Sequence, residues 1–269
     1  MSMRLICTAV LAAGVLGDFD AAGGLAPETR AGWTGYVAAT ELRIDRELKS
    51  PRRFLAQDFT LSADDDRHSV LGGGIVVNEV ETTDPAGRAL SVPLAMVHHW
   101  RGAVFIPATT VNDIVGKLQS GAPPTRQEDV LESAVLDRGP DWMKVYLRLQ
   151  KSKYVTVVYN TEHLVRFKRY GPGRASSTSM ATKIAEVASP GTPSEHELPP
   201  GQDRGFLWRL NSYWRYQQAG AGVIAECESL TLSRPIPYVL TYLVRPIVRT
   251  TARESLARTL ASLRDRFTG

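Results

Sequence analysis

Two segments decide the fold of this chain: FLWRLNSYWRYQ, residues 206–217, and VIAECESLTLS, residues 223–233. Both read as strands, and Gly220-Ala221 between them reads as a two-residue hairpin turn. Setting Ala219 opposite Gly222 places Arg215 against Glu226, Trp214 against Cys227 and Ser212 against Ser229. That register puts an opposite-charge pair on one face and an aromatic ring over a small residue on the other, as cross-strand pairing favours. One face then carries Trp208, Leu210, Ser212 and Trp214 with Ala225, Cys227 and Ser229, and is expected to be buried. The other carries Arg209, Asn211, Tyr213 and Arg215 with Glu226 and Glu228, and is expected to be wet. Further on, Leu256, Leu260, Leu263 and Phe267 fall at four-three-four spacing, an apolar helical stripe that needs an apolar surface. A sheet whose apolar face is covered by a terminal helix can enclose a cavity.

The 269 residues suffice for one large domain, or one domain with a small addition. The balance of 32 Lys+Arg against 28 Asp+Glu leaves a net charge of +4 with basic and acidic residues intermixed, so nucleic acid is not expected as a partner. Arg4, the uncharged and mostly apolar run Leu5–Gly17, and the small residues Ala21, Ala22, Gly23 and Gly24 have the layout of an export signal. The run is too short to span a bilayer, and the rival reading is a short buried or membrane-lying helix. Export to the periplasm or the extracellular space is the expectation, with a signal over residues 1–24 and a mature chain beginning near Leu25. Cleavage would remove Cys7 and leave Cys227 without an internal disulfide partner.

Residues 25–89 read as an N-terminal extension. Trp33, Val37, Thr40, Ile44 and Leu48, with Tyr36 beside them, recur at helical spacing after Pro27-Glu28-Thr29 and stop before Ser50-Pro51. Residues 62–69, with Asp64, Asp65 and Asp66, read as a charged loop, and Ile75–Glu81 followed by Asp84-Pro85-Ala86-Gly87 as a hairpin. From about residue 90 the pattern is a long extended stretch to Ile106, a helix over Thr109–Leu118, and paired strands Val130–Leu136 with Trp142–Leu149. Another pair, Tyr154–Tyr170 with Ser177–Val187, follows. Ser189–Arg204 is a polar loop long enough to act as a lid. The C-terminal segment reads as two helical parts, divided near Pro246 and restarted by the capping box Thr251-x-x-Glu254.

The order of elements over about Leu90–Phe267 resembles the START-like, helix-grip superfamily, also called SRPBCC, of the polyketide-cyclase and coenzyme-Q-binding kind. His98-His99-Trp100-Arg101-Gly102, Phe105-Ile106-Pro107 and Gly205-Phe206-Leu207-Trp208-Arg209-Leu210 resemble exported bacterial proteins of unknown function that carry this domain. Ser212-Tyr213-Trp214-Arg215, Glu226-Cys227-Glu228-Ser229 and Arg253-Glu254-Ser255-Leu256 extend the likeness. The resemblance implies an α+β domain over residues 90–269, with a seven-stranded antiparallel sheet gripping the last helix around an apolar cavity. The extra N-terminal helix is expected to pack outside it. No catalytic residue and no cofactor carry over.

Metal-ligand spacings, nucleophile elbows, phosphate loops and dinucleotide fingerprints are absent from the sequence. Adjacent His98 and His99 point to opposite sides of a strand, so they do not easily serve one metal ion. One of them is expected to face the cavity and the other solvent. The expected inner wall is Met143, Val145, Leu147, Trp208, Leu210, Trp214 and Cys227, closed by Leu240 and Leu243, with Ser212 and one histidine as the polar groups that orient a ligand. Binding or carriage of a lipid, isoprenoid or quinone is the leading expectation. The alternatives are a cyclase or hydrolase using His98 or His99 as acid–base, and a structural or interaction protein with a filled core. Arg166, Lys168, Arg169 and Arg174 form a basic hairpin tip that would suit an anionic membrane surface.

Overall fold

The computed structural model describes residues 24–121, 129–152, 156–235 and 241–268, with the backbone alone at 152 and 241–248. The expected signal, apart from Gly24, and Leu240 lie outside these residues. Helix α1 (Pro27–Leu48) begins with proline in its first turn, where no backbone N–H is needed, and buries Trp33, Tyr36, Val37, Thr40 and Ile44 as the spacing requires. Residues 62–69, read as a loop, instead lie mostly in helix α2 (Ala63–Leu71). The three aspartates occupy its first turn, where negative charge complements the helix dipole.

Strands β1 (Val76–Glu79), β2 (Met96–Pro107), β3 (Val130–Arg138), β4 (Trp142–Ser152), β5 (Thr156–Arg169), β6 (Arg174–Ala188), β7 (His196–Glu197), β8 (Arg209–Ala219) and β9 (Gly222–Ser233) form one antiparallel sheet. The order is β1-β2-β9-β8-β6-β5-β4-β3, with β7 appended to β6. Setting aside β1, from the extension, and the two-residue β7 leaves the seven expected strands. The β8–β9 register matches the sequence reading, with Ala219 opposite Gly222, Arg215 opposite Glu226, Trp214 opposite Cys227 and Ser212 opposite Ser229. Gly220 takes a φ of +57°, the left-handed backbone that this turn asks of its residue.

Helix α3 (Val111–Gln119) starts at a capping box made by Thr110 and Asp113. The C-terminal segment is one helix, α4 (Thr241–Thr268), rather than two parts, so Thr251 does not begin a new helix. Leu256 and Leu260 are buried against the sheet, while Leu263 and Phe267 pack at the cluster's edge. Leu260 of the helix packs on Gly102 of β2, where an added Cβ would lie 2.7 Å from Leu260 and 3.0 Å from the carbonyl of Val76.

The face of β8 and β9 expected to be wet is covered. Helix α1 and the turn over residues 54–59 pack on it, and Arg215, Glu226 and Glu228 are at most 2% exposed. Buried charges need partners, and these are partnered from both sides. Arg215 bonds Glu47 of α1 at 2.6 Å and the carbonyl of Phe54 at 3.0 Å. Glu226 accepts the backbone N–H of Ala56 at 2.5 Å and of Gln57 at 2.9 Å. Glu228 pairs with Arg43 of α1 and, at 2.7 Å, with His99. Burial alone would raise the Glu228 carboxyl, but His99, Arg43 and Arg215 outweigh it and hold it down at about 2. Burial raises the Glu226 carboxyl despite Arg215, Arg101 and the two N–H donors.

The Arg215 pair is therefore not a surface pair. Arg215→Ala leaves Glu47 and Glu226 without their common guanidinium, and is expected to cost about 3–5 kcal/mol, as breaking a buried ion pair does. Urea unfolding of the variant measures this. A loss below about 1 kcal/mol, typical of an exposed pair, would show that α1 does not seal this face in solution.

Candidate functional site

The opposite face of the sheet looks toward α4. Across it the register lines up Trp100, Ser229, Ser212, Ser179, Val165 and Met143 on β2, β9, β8, β6, β5 and β4. Three serines thus stand side by side at the middle of the row. On one side runs Gly102, Cys227, Trp214, Ser177 and Phe167. On the other side stand His98, Thr231 and Leu210 and, across the sheet, His163 with Val145.

The two ends of this face pack differently. Toward α3 and the end of α4, Val104, Ile106, Met143, Phe167, Ala175, Tyr216, Ala225 and Cys227 form a buried core. Elsewhere on this face Val145, Leu147, Val165, Ser179, Leu210, Ser212, Trp214 and Ser229 are only half-buried. The serine row thus sets small side chains in the middle of a face whose other residues are mostly larger.

Most of the expected site residues lie here. Met143 belongs to the filled end, with Val145 and Trp214 packed at its margin. Trp214 stacks on Tyr216 with ring centroids 6.2 Å apart. Leu147 and Leu210 pack with Leu149, Val157 and Tyr159 at the far end. Cys227 is buried, and its thiol is pushed well up by burial and then by Glu228 and Glu226, so it is a packing residue. Ser212 makes no side-chain hydrogen bond among the described residues. Leu243 lies on α4 in the part described by backbone alone.

Two assignments are corrected. Trp208 precedes β8, and its ring joins the cluster of Trp33, Tyr36, Leu230 and Leu232 on the α1 side, with Nε1 donating to Asp203 at 3.1 Å. Strand parity holds only within the strand, and Trp208 lies outside it. His99 faces neither cavity nor solvent. It is sealed under α1, with Nε2 2.7 Å from Glu228 and Nδ1 3.1 Å from the hydroxyl of Tyr36 and 3.3 Å from that of Thr82. His98 is the histidine on the α4 side, 2.9 Å from Ser233.

The sequence reading missed His163. On β5 its ring lies on the α4 side, 3.0 Å from the Thr161 hydroxyl and 3.3 Å from that of Ser179. Its alternation with Thr161 and Val165 was the available signal. Burial lowers both His98 and His163 to about 4, so both imidazoles are neutral near pH 7. Such weak bases, with no carboxylate beside them, suit hydrogen bonding better than proton abstraction. The charged groups of this region sit at its rim: Lys151 and Arg258 on Asp129, and Glu186 with Arg204. Tyr159 keeps a buried hydroxyl without a partner among the described residues.

Other surfaces are less suited to an apolar ligand. A cleft of about 310 Å³ beside α2 is lined by Arg52, Arg53 and Arg67 with Asp58, Asp64 and Gln217. Asp58 is already engaged there by the backbone N–H groups of Phe54 and Leu55. At the basic tip, Lys168 and Arg174 lie over the rings of Tyr170 and Phe54, and Arg169 donates to Asn112 and Gln119. The loop Ser189–Arg204, read as a lid, is pinned to the outer face over its first half, while its end reaches the rim through Arg204 on Glu186. Its Glu195 pairs with Arg148, and β7 places Glu197 against Lys183 and Asn160. No group of His, Cys, Asp or Glu among the described residues has metal-site geometry.

No model of a known family and no curated protein matches this chain. Its antiparallel sheet and terminal helix give the α+β helix-grip architecture that the resemblance implied. Distant likenesses to solved structures are found. The STAR-related lipid transfer protein of Xanthomonas axonopodis is 17% identical with a TM-score of 0.40, covering 67% of this chain and 98% of that one. The lipid transfer and protein localization domain of human StarD13 is 11% identical with a TM-score of 0.41, covering 78% and 98%. The Zhui aromatase/cyclase of Streptomyces is 12% identical with a TM-score of 0.35, covering 63% and 93%.

The histidines give the fold an acid limit. An unfolded imidazole binds its proton near 6.5, so stability is full above that pH and falls as pH drops toward 4, where the folded form also protonates. For His163 the loss across this window is up to about 3 kcal/mol. NMR titration of the imidazole should give a midpoint near 4, and His163→Gln should flatten the pH dependence of urea unfolding. A midpoint near 6.5 would show that the α4 side is open to bulk water.

Proposed function

We propose that the chain binds or carries an apolar small molecule of the lipid, isoprenoid or quinone kind between the inner face of the sheet and α4. The observation that carries this reading is the row Ser229, Ser212 and Ser179, half-buried beside the apolar Val145, Val165, Leu210 and Trp214, with His98, Thr231, His163 and Ser177 as the other polar groups of the face. Ligand sites are of this composition: mostly apolar walls with a few placed polar groups. The named activity of the lipid-transfer proteins sharing the fold agrees with it. The cyclase alternative needs a histidine poised near another titratable group. His98 contacts Ser233, His163 contacts two hydroxyls, and His99 is closed off under α1.

Ser212→Leu separates the readings. In a filled core the added side chain overpacks and destabilises by about 1–3 kcal/mol. In a ligand space it fills a void, leaves stability unchanged or raised, and blocks binding. Native mass spectrometry of the purified wild-type protein, with organic extraction, should then show an apolar molecule that the variant lacks. An empty wild-type protein together with a destabilised Ser212→Leu would contradict the proposal and favour a filled core.

A further inference from the structure

The hydrogen bonds around His163 run in one direction. The Thr161 hydroxyl donates to the carbonyl of Leu147 at 3.0 Å, so its proton is committed and its oxygen can only accept from His163. His163 Nε2 therefore carries the hydrogen that meets Thr161. A neutral imidazole has one N–H, so Nδ1 is left as an acceptor, and the Ser179 hydroxyl donates to it at 3.3 Å. The relay ends on Ser179, whose oxygen keeps its lone pairs and whose side chain is half-buried on the α4 side. Beside it, Ser212 pairs with Ser179 across the strands and makes no side-chain hydrogen bond among the described residues. Ser179 thus accepts, and Ser212 is able to donate.

A single uncharged atom that donates to one serine and accepts from the next is, on a lipid-like molecule, most simply a hydroxyl oxygen. We propose that this site selects an apolar molecule bearing an uncharged hydroxyl head, with Ser179 as the acceptor that reads it and His163 and Thr161 as positioning residues. The inference rests on the apolar-ligand reading above and goes further, to the ligand's head group. An aldehyde or ketone satisfies Ser212 but leaves Ser179 unmet. A carboxylate brings a charge to a face whose histidines are neutral at pH 7, burial having lowered both. Lys151 and Arg258, at the rim, are bound to Asp129.

The test is a matched series of one carbon skeleton, farnesol, farnesal and farnesoate, titrated into the full chain at pH 7 with Trp fluorescence as readout. The expected result is farnesol bound at least roughly tenfold more tightly than the other two, the worth of about one net hydrogen bond. Ser179→Ala is expected to bring farnesol and farnesal within about twofold of each other. Thr161→Val, which removes the acceptor fixing the ring's tautomer, is expected to erode the preference while the variant still binds. Equal binding of farnesal or farnesoate by the wild-type protein would overturn the hydroxyl inference and leave apolar binding standing. A preference for farnesol that survives Ser179→Ala would overturn the role of Ser179. No binding of any of the three would overturn both this inference and the apolar reading on which it rests.

Discussion

Glu226 and Glu228 sit in the middle of β9, a strand buried on both faces, and a buried carboxylate is costly unless it is paired. That constraint organises one whole side of the molecule. The sheet supplies Arg215, Arg101 and His99 from neighbouring strands, while α1 supplies Arg43 and, through Glu47, a counter-charge for Arg215. The turn over residues 54–59 adds two backbone N–H groups for Glu226. The N-terminal extension is thus the second half of an ionic interface. Networks of this kind owe little net stability to Coulomb attraction, because desolvation opposes it, but they fix how two layers meet.

With that side closed by charge and by Phe54, Leu55, Trp33 and Leu230, the half-buried side chains lie on the other face. The contrast lies in β9 itself. Its outward residues are Ile224, Glu226, Glu228, Leu230 and Leu232, large or charged and all buried. Its inward residues beyond Val223 are small, Ala225, Cys227 and Ser229. The close packing of Leu260 on Gly102 fixes α4 against the sheet. The proposed ligand space lies beside that contact, where the side chains are small and half-buried.

The strand pairing was legible because side-chain alternation and the Gly220 turn determine it jointly, and all four cross-strand pairs read from the sequence occur in the structure. What the alternation did not tell was which face would be dry. Arg215, Glu226 and Glu228 look solvent-facing one at a time. Their burial follows from partners more than 150 positions away in the sequence on α1 and its following turn. His99 was misplaced for the same reason, and Trp208 because it stands just before the strand whose parity was applied to it. His163 was overlooked among the polar residues of β5, although its neighbours Thr161 and Val165 share its face. The single α4 runs through Pro246 without a break, where the sequence suggested a division.

The central claim is that the α4 side is the ligand side and the α1 side is a closed wall. Backbone and side-chain NMR shifts on adding an apolar probe such as farnesol address it directly. The account predicts shifts at Ser179, Ser212, His163 and the Trp214 indole, with His99, Arg215 and Glu226 unmoved. Shifts centred on α1 and its ion pairs, with the serine row silent, would contradict it.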